Sequence, residues 1–208
     1  MRFTAILLLG GTSSRFGKNK LLETIGEKKV YEHTLDAFTS SGLFHEIVIV
    51  TSKELPLLNS VPGGSTRQES SYRGLLGCKI KPDFVVIHDG ARPFVSHEIL
   101  KRNVEAVQRY KAVNTCIPTY DTINYVDDQT VSSIPERSRC MRGQTPQSFA
   151  YDLILEAHEK TQETNAPDDC SLVLELGHPI HVVLGEDENI KITTPIDLAF
   201  ANSLFYSK

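Results

Sequence analysis

The chain opens on an unbroken apolar run, Phe3 to Leu9, whose lack of polar alternation predicts a strand buried on both faces. Gly10-Gly11 ends it abruptly and leads into Thr12-Ser13-Ser14-Arg15-Phe16-Gly17-Lys18-Asn19-Lys20. Apolar positions at Tyr31, Leu35 and Phe38 then keep helical spacing up to Ser40-Ser41-Gly42, and Ile47 to Val50 is a second buried strand. Strand, loop, helix and strand at this length make a right-handed, parallel βαβ unit. The alternation continues. Pro62-Gly63-Gly64-Ser65 reads as a turn, Ser70 to Cys78 as a short helix and Phe84 to Ile87 as a strand. Ser96 caps a helix with Ile99, Leu100, Val104 and Val107 on one face, and Val113 to Ile117 is a further strand.

Beyond Ile117 the pattern changes. Thr122 to Val126 and Thr130 to Ile134, parted by Asp127-Asp128-Gln129, predict an exposed hairpin. Two strands alone are marginal in water, so this arm, at about 120–140, needs a surface to lie on, and a second subunit is the expected one. Tyr151 to Thr161 reads as a helix with Leu153, Ile154, Ala157 and His158 inward, and Ile180 to Leu184 as a strand. Lys191-Ile192-Thr193 falls at the end of the last strand, and Thr194-Pro195 starts a final helix through Leu198, Ala199 and Ser203. The expected architecture is α/β, a single domain over residues 1–208, with a mostly parallel sheet and helices on both faces.

Composition narrows the class. A chain of 208 residues, 40% hydrophobic with a net charge of −4, describes a soluble, mildly acidic globule with a core that needs no staples. No basic excess points to nucleic acid, and the opening apolar run is too short for a signal peptide or a membrane span, so a cytoplasmic enzyme is expected. Cys78, Cys116, Cys140 and Cys170 form no C-x-x-C pair, so they read as buried or incidental thiols, and the histidines show no metal-ligand spacing.

The chemistry gathers in loops that follow strands, where ligands bind in open parallel sheets. The first loop combines adjacent glycines, three hydroxyl residues and the cations Arg15, Lys18 and Lys20, a set suited to phosphate. Its spacing is neither that of a Walker A loop nor G-x-G-x-x-G, which disfavours a hydride cofactor. The second loop is His88-Asp89-Gly90-Ala91-Arg92-Pro93, and the third holds Lys191 and Thr193. Several cations with one or two carboxylates on one rim suit a nucleoside triphosphate with Mg2+.

Four blocks then carry a resemblance over essentially the whole chain. These are Ile87-His88-Asp89-Gly90-Ala91-Arg92-Pro93-Phe94, Gln144-Thr145-Pro146-Gln147, Asp168-Asp169-Cys170-Ser171-Leu172 and Asn189-Ile190-Lys191-Ile192-Thr193-Thr194-Pro195. In this order they resemble the bacterial cytidylyltransferases that attach CMP to a sugar-alcohol phosphate. The compact first loop is itself similar to that of molybdenum-cofactor guanylyltransferases. The resemblance implies a Rossmann-like nucleotidyltransferase fold of the GT-A type, and a homodimer embraced by the hairpin arm. It implies transfer of CMP from CTP to methylerythritol phosphate, with ribitol 5-phosphate as the alternative acceptor. A non-catalytic nucleotide-binding regulator and a flavodoxin-like module are readings from other classes. It further implies that Arg15, Lys20, Arg137 and Lys191 serve catalysis, Arg137 reaching the neighbouring subunit's site. Gly10, Gly11 and Thr12 would line the phosphates, and Gly64, Ser65, Ser70 and Gly90 the cytosine and ribose. Asp89, Arg92, Thr122, Thr145 and Thr193 would hold the sugar-alcohol phosphate, and Asp89 is the one candidate ligand for Mg2+ brought in with CTP. A phosphate monoester is already an anionic nucleophile at neutral pH, so this reaction needs cations and positioning and no general base.

Overall fold

The computed structural model describes residues 1–10, 16–52, 55 and 60–207. Arg15, Gly11 and Thr12 lie outside the described residues, as do Ser13 and Ser14.

A seven-stranded sheet runs in the order β11-β7-β10-β6-β1-β4-β5. Its strands are β1 (Phe3–Leu9), β4 (Glu46–Thr51), β5 (Val61–Pro62), β6 (Phe84–Asp89), β7 (Ala112–Pro118), β10 (Met141–Ala150) and β11 (His181–Leu184). Two small antiparallel pairs stand outside it, β2 (Thr24–Ile25) with β3 (Lys28–Lys29), and β8 (Tyr125–Asp127) with β9 (Thr130–Ser133). The helices are α1 (Val30–Ser40), α2 (Arg67–Leu76), α3 (His97–Tyr110), α4 (Tyr151–Lys160), α5 (Asp169–Glu175) and α6 (Pro195–Tyr206). None of the described helices is long and apolar enough to cross a membrane.

Every residue of β1 is buried, because the strand lies between β4 and β6 with helices over both faces. Its side chains divide by parity. Ala5, Leu7 and Leu9 join a core with Val30 and Phe38 of α1, Ile99 and Leu100 of α3 and Ala201 of α6. Ile6 and Leu8 join a second core with Leu75 of α2, Ile154 and Ala157 of α4 and Leu172 and Val173 of α5. Helix starts follow local chemistry. Ser96, Thr66 and Asp168 each accept a backbone N–H of the first turn of α3, α2 and α5, and Thr194 with Asp197 forms a capping box before Pro195 on α6.

Besides the short pair β2–β3 and the edge strand β5, four features depart from the pattern reading. α2 begins at Arg67 under the Thr66 cap, ahead of the expected Ser70. β10, for which no strand was expected, is inserted antiparallel between β6 and β7. Its polar residues Gln144, Thr145, Gln147 and Ser148 are buried, and the ladder shifts register between Gly143 and Gln147, where Pro146 supplies no N–H. α5 is a second unexpected element, only seven residues long. The 189–193 segment is irregular rather than a strand, docked through the Ile192 N–H to the Ala91 carbonyl at 2.8 Å. Parallel pairing elsewhere in the sheet sends β1, β4 and β6 in one direction, so the loops after all three open on one edge.

Candidate active site

Asp89 ends β6 at that edge, and its carboxylate is buried between two cations. Lys191 Nζ donates to Asp89 Oδ2 at 2.6 Å, and Arg67 Nε donates to Oδ1 at 3.0 Å. Burial alone would favour the neutral acid, but Arg67, Lys191 and Arg92 outweigh it and hold the Asp89 carboxyl well below the usual carboxylate range. The Arg67 guanidinium continues outward: Nη1 donates to Asp169 Oδ2 at 2.7 Å, while Nη2 is buried without a partner among the described residues. Asp169 Oδ1 accepts from Ser71 Oγ at 2.6 Å and from His158 Nε2 at 3.0 Å. Burial opposes ionisation there too, yet Arg67 and His158 bring the Asp169 carboxyl down to about 2. One arginine at the start of α2 therefore ties the end of β6 to the start of α5, 102 positions along the chain from it.

The unexpected strand β10 fixes Asp89 from the other side. Burial pushes the His88 imidazole down to about 4, so it is neutral at neutral pH. A carbonyl can only accept, so Nε2–H donates to the Arg92 carbonyl at 3.1 Å and Nδ1 accepts the Thr145 hydroxyl, also at 3.1 Å. The same Thr145 oxygen accepts the Asp89 backbone N–H at 3.1 Å. Thr145 is thus placed within the protein network, directly beneath the carboxylate it was expected to accompany. Arg92 is buried, with Nη1 on the Asn189 carbonyl at 2.7 Å and Nη2 near the Gly143 carbonyl at 3.5 Å, while its Nε has no partner among the described residues. Asn189 in turn donates to Gln144 Oε1 at 3.1 Å and to the Thr145 carbonyl at 2.8 Å. These bonds hold the segment that carries Lys191 against β10.

Gly90 leaves β6 with its N–H on the Leu8 carbonyl at 2.9 Å, so close that a Cβ would stand 2.1 Å from Leu9 Cδ2. That contact explains the glycine without any ligand. Gly64 donates to Ser70 Oγ at 3.0 Å, and Ser65 is gripped through its N–H, at 2.6 Å, and its hydroxyl, at 2.8 Å, by Glu69. All three therefore sit around the first turn of α2, beside Arg67. Gly10 follows β1 directly, and Lys20 starts the 3-10 turn Lys20–Leu22. Leu21 of that turn and Ile192 both belong to the apolar core under α1, α3 and α6, on the same face of the sheet. Thr193 spends its N–H and hydroxyl on Asp197, at 2.8 and 2.6 Å, as part of the α6 cap. Thr122 and Arg137 lie apart from this cluster. Both are exposed at the base of the hairpin, where Arg137 Nη1 donates to the Tyr120 carbonyl at 3.2 Å, and neither bonds to the Asp89 network. Sequence reasoning assigned no role to Arg67, Asp169, His158, Gln144 or Asn189, although three of them lie inside the motif blocks.

Among the described residues no three His, Cys, Asp or Glu side chains gather into a metal cage. An ion arriving on polyphosphate oxygens would have Asp89 as its candidate protein carboxylate, both of whose oxygens are bonded to cations in this structure. Cys116 and Cys170 are buried free thiols, and Cys78 and Cys140 are half-buried.

Helices on both faces of this sheet, β10 inserted antiparallel, and a buried carboxylate bracketed by cations at the carboxyl edge define a nucleotidyltransferase of the α/β class. The chain belongs to the family described as IspD: 2-C-methyl-D-erythritol 4-phosphate cytidylyltransferase, whose pattern it matches over residues 4–207. A relative of that name from Clostridioides difficile (strain 630) is 36% identical over 220 residues, spanning 97% of this chain and 93% of the relative. Another from Desulforamulus reducens is 37% identical over 220 residues, 96% and 94% of the two chains. The solved 4-diphosphocytidyl-2C-methyl-D-erythritol synthase of Anaerococcus prevotii superposes with a TM-score of 0.88 at 31% identity, covering 99% of this chain and 96% of that one. The solved 2-C-methyl-D-erythritol 4-phosphate cytidylyltransferase of Thermus thermophilus gives 0.83 at 30% identity, with 99% and 100% covered.

Proposed function

We propose that this protein transfers CMP from CTP to 2-C-methyl-D-erythritol 4-phosphate in non-mevalonate isoprenoid synthesis, as a cytoplasmic homodimer. A phosphate oxygen of the acceptor attacks the α-phosphorus, the α–β bridging P–O bond breaks, and pyrophosphate leaves as 4-diphosphocytidyl-2-C-methyl-D-erythritol forms. The observation that carries this reading is the Asp89–Lys191 pair, 2.6 Å apart at the carboxyl edge of the sheet. An ammonium held by a carboxylate in the free protein can turn to an incoming phosphate without crossing bulk water, which is preorganised charge for an anionic nucleophile. Lys191 thus aims the acceptor phosphate, while Arg15 and Lys20 draw off charge building on the α-phosphoryl group. Gly10, Gly11 and Thr12 line the triphosphate, and Gly64, Ser65, Ser70 and Gly90 face the nucleoside. Asp89, Arg92, Thr122, Thr145 and Thr193 shape the acceptor pocket, with Arg137 supplied by the neighbouring subunit's arm. Asp89 would hold Mg2+ carried in on CTP, and the ion, when bound, would supply charge neutralisation on the phosphates. A pyrophosphate-release assay with CTP tests the reading, with methylerythritol phosphate and ribitol 5-phosphate as alternative acceptors. Turnover with the first supports it, and turnover with ribitol 5-phosphate alone overturns it.

A further inference from the structure

We infer that Arg67 is a positioning residue for this reaction, sharing Asp89 with Lys191 and so setting how readily Lys191 releases toward the acceptor phosphate. The inference rests on the acceptor site proposed above. Asp89 has two carboxylate oxygens and two cationic partners, one on each: Arg67 Nε on Oδ1 and Lys191 Nζ on Oδ2. The two partners differ in freedom. Lys191 is about one-third exposed on a flexible stem, whereas Arg67 is anchored at its far side by Asp169, which Ser71 and His158 hold in turn. A guanidinium is planar and keeps its charge, so this fork can grip two carboxylates at once in fixed geometry. Its fixed charge takes up part of the Asp89 field in the dry interior, and the remainder is what restrains Lys191.

Without Arg67, Asp89 keeps Lys191 as its one bonded counter-charge among the described residues and holds it harder. That direction separates positioning from scaffolding. A purely structural arginine would, when removed, loosen the pocket and free Lys191. Brief labelling of Lys191 Nζ by dilute acetic anhydride, read by mass spectrometry on the intact folded chain, reports the difference. Arg67→Gln is expected to slow labelling of Lys191 several-fold and to lower kcat/KM for methylerythritol phosphate by about 100-fold, with KM for CTP changed by less than about 3-fold. Arg67→Lys reaches one carboxylate at a time and is expected to recover about 10-fold of that loss. Asp169→Asn, which releases the anchor while leaving Arg67 in place, is expected to act in the same direction at about a tenth of the size.

Lys191 labelled as fast as, or faster than, in the unsubstituted chain overturns the inference, as does an equal loss toward both substrates. Should Arg67→Gln fail to fold, Arg67→Lys gives the same two readings with smaller changes. An unsubstituted chain that turns over no acceptor would sink the proposed function, while the labelling comparison would still decide the part played by Arg67.

Discussion

The cluster around Asp89 and the hairpin of β8 and β9 are built on opposite terms. In the cluster, Asp89 and Asp169 are buried, Arg67 is half-buried, and all three are bonded to residues from α2, α4, β6 and the 189–193 segment, so each charge has at least one opposite partner. In the hairpin, apolar side chains face outward, with Tyr120 71%, Tyr125 60% and Ile134 61% exposed. A buried, paired set of charges is over-determined by its own chain. A two-stranded ribbon showing this much apolar surface is under-determined by its own chain, and the proposed partner subunit would supply the contacts it lacks. The difference teaches which parts of the proposed site one subunit prepares by itself. Lys191 is held by Asp89 of its own chain, whereas the Arg137 side chain, just beyond the hairpin, bonds only to the Tyr120 carbonyl among the described residues and to none of this cluster.

Asp89→Asn attacks the self-sufficient side hardest. It leaves Arg67 and Lys191 facing each other with half their compensation gone, and breaking a buried pair in this way costs about 3–5 kcal/mol. Urea unfolding followed by circular dichroism should show that loss, and a change under about 1 kcal/mol would mean that the cluster is far wetter than its burial implies. Lys191→Gln keeps the fold's core intact and, on the proposed reading, removes one cation from the reacting phosphates. Turnover should fall about 100- to 1000-fold, as when a single preorganised donor is lost, measured by pyrophosphate release.

Those two variants probe residues of very different visibility in the sequence from the rest of the cluster. Asp89 and Lys191 follow apolar segments and stand in compact motifs, so the rule that ligands meet at strand ends was enough to single them out. β1, β4 and β6 were legible for the same reason, as uninterrupted apolar runs, and Ser96 and Thr194 announced their helices by cap chemistry. β10 was not legible. Its buried residues are Gln144, Thr145, Gln147 and Ser148, which look like a loop until Asn189, His88, Asn114, Asp168 and Asn103 are placed around them. Arg67 was invisible for a kindred reason. An arginine in the first turn of a helix reads as a surface charge, and its partners lie 22 and 102 positions away. Where burial is satisfied by distant polar groups, periodicity carries no signal.

His88 sharpens the contrast through pH. Its folded value of about 4 lies below the ordinary 6.5, so the unfolded chain binds a proton that the folded chain refuses. Stability is therefore complete above about pH 6.5 and is lost as pH falls toward 4, by about 3 kcal/mol at most. Asp89 and Asp169, both depressed, extend the loss below the usual carboxylate range. Thermal unfolding between pH 7 and 4 should show the slope, and His88→Gln should flatten its upper part. An equal slope in that variant would assign the effect to another group.

The smallest effect on the folded subunit, and the most informative about the hairpin, is expected from Val131→Asp. Val131 pairs with Val126 across the hairpin and is exposed, so a charge there touches nothing buried in its own chain. Subunit stability at high dilution should change by no more than about 0.5 kcal/mol. A dimer held through the arm would nevertheless come apart, because the aspartate would have to be desolvated against the partner. Sedimentation would show it as a shift to monomer, and a variant that instead unfolds would mean the arm packs on its own subunit. Mixing then tests whose site Arg137 serves. If the arm reaches across, a pool of Arg137→Gln and Lys191→Gln chains contains heterodimers with one intact site, and random pairing restores about a quarter of all sites. If Arg137 serves its own subunit, every site in the mixture lacks one cation and mixing restores nothing.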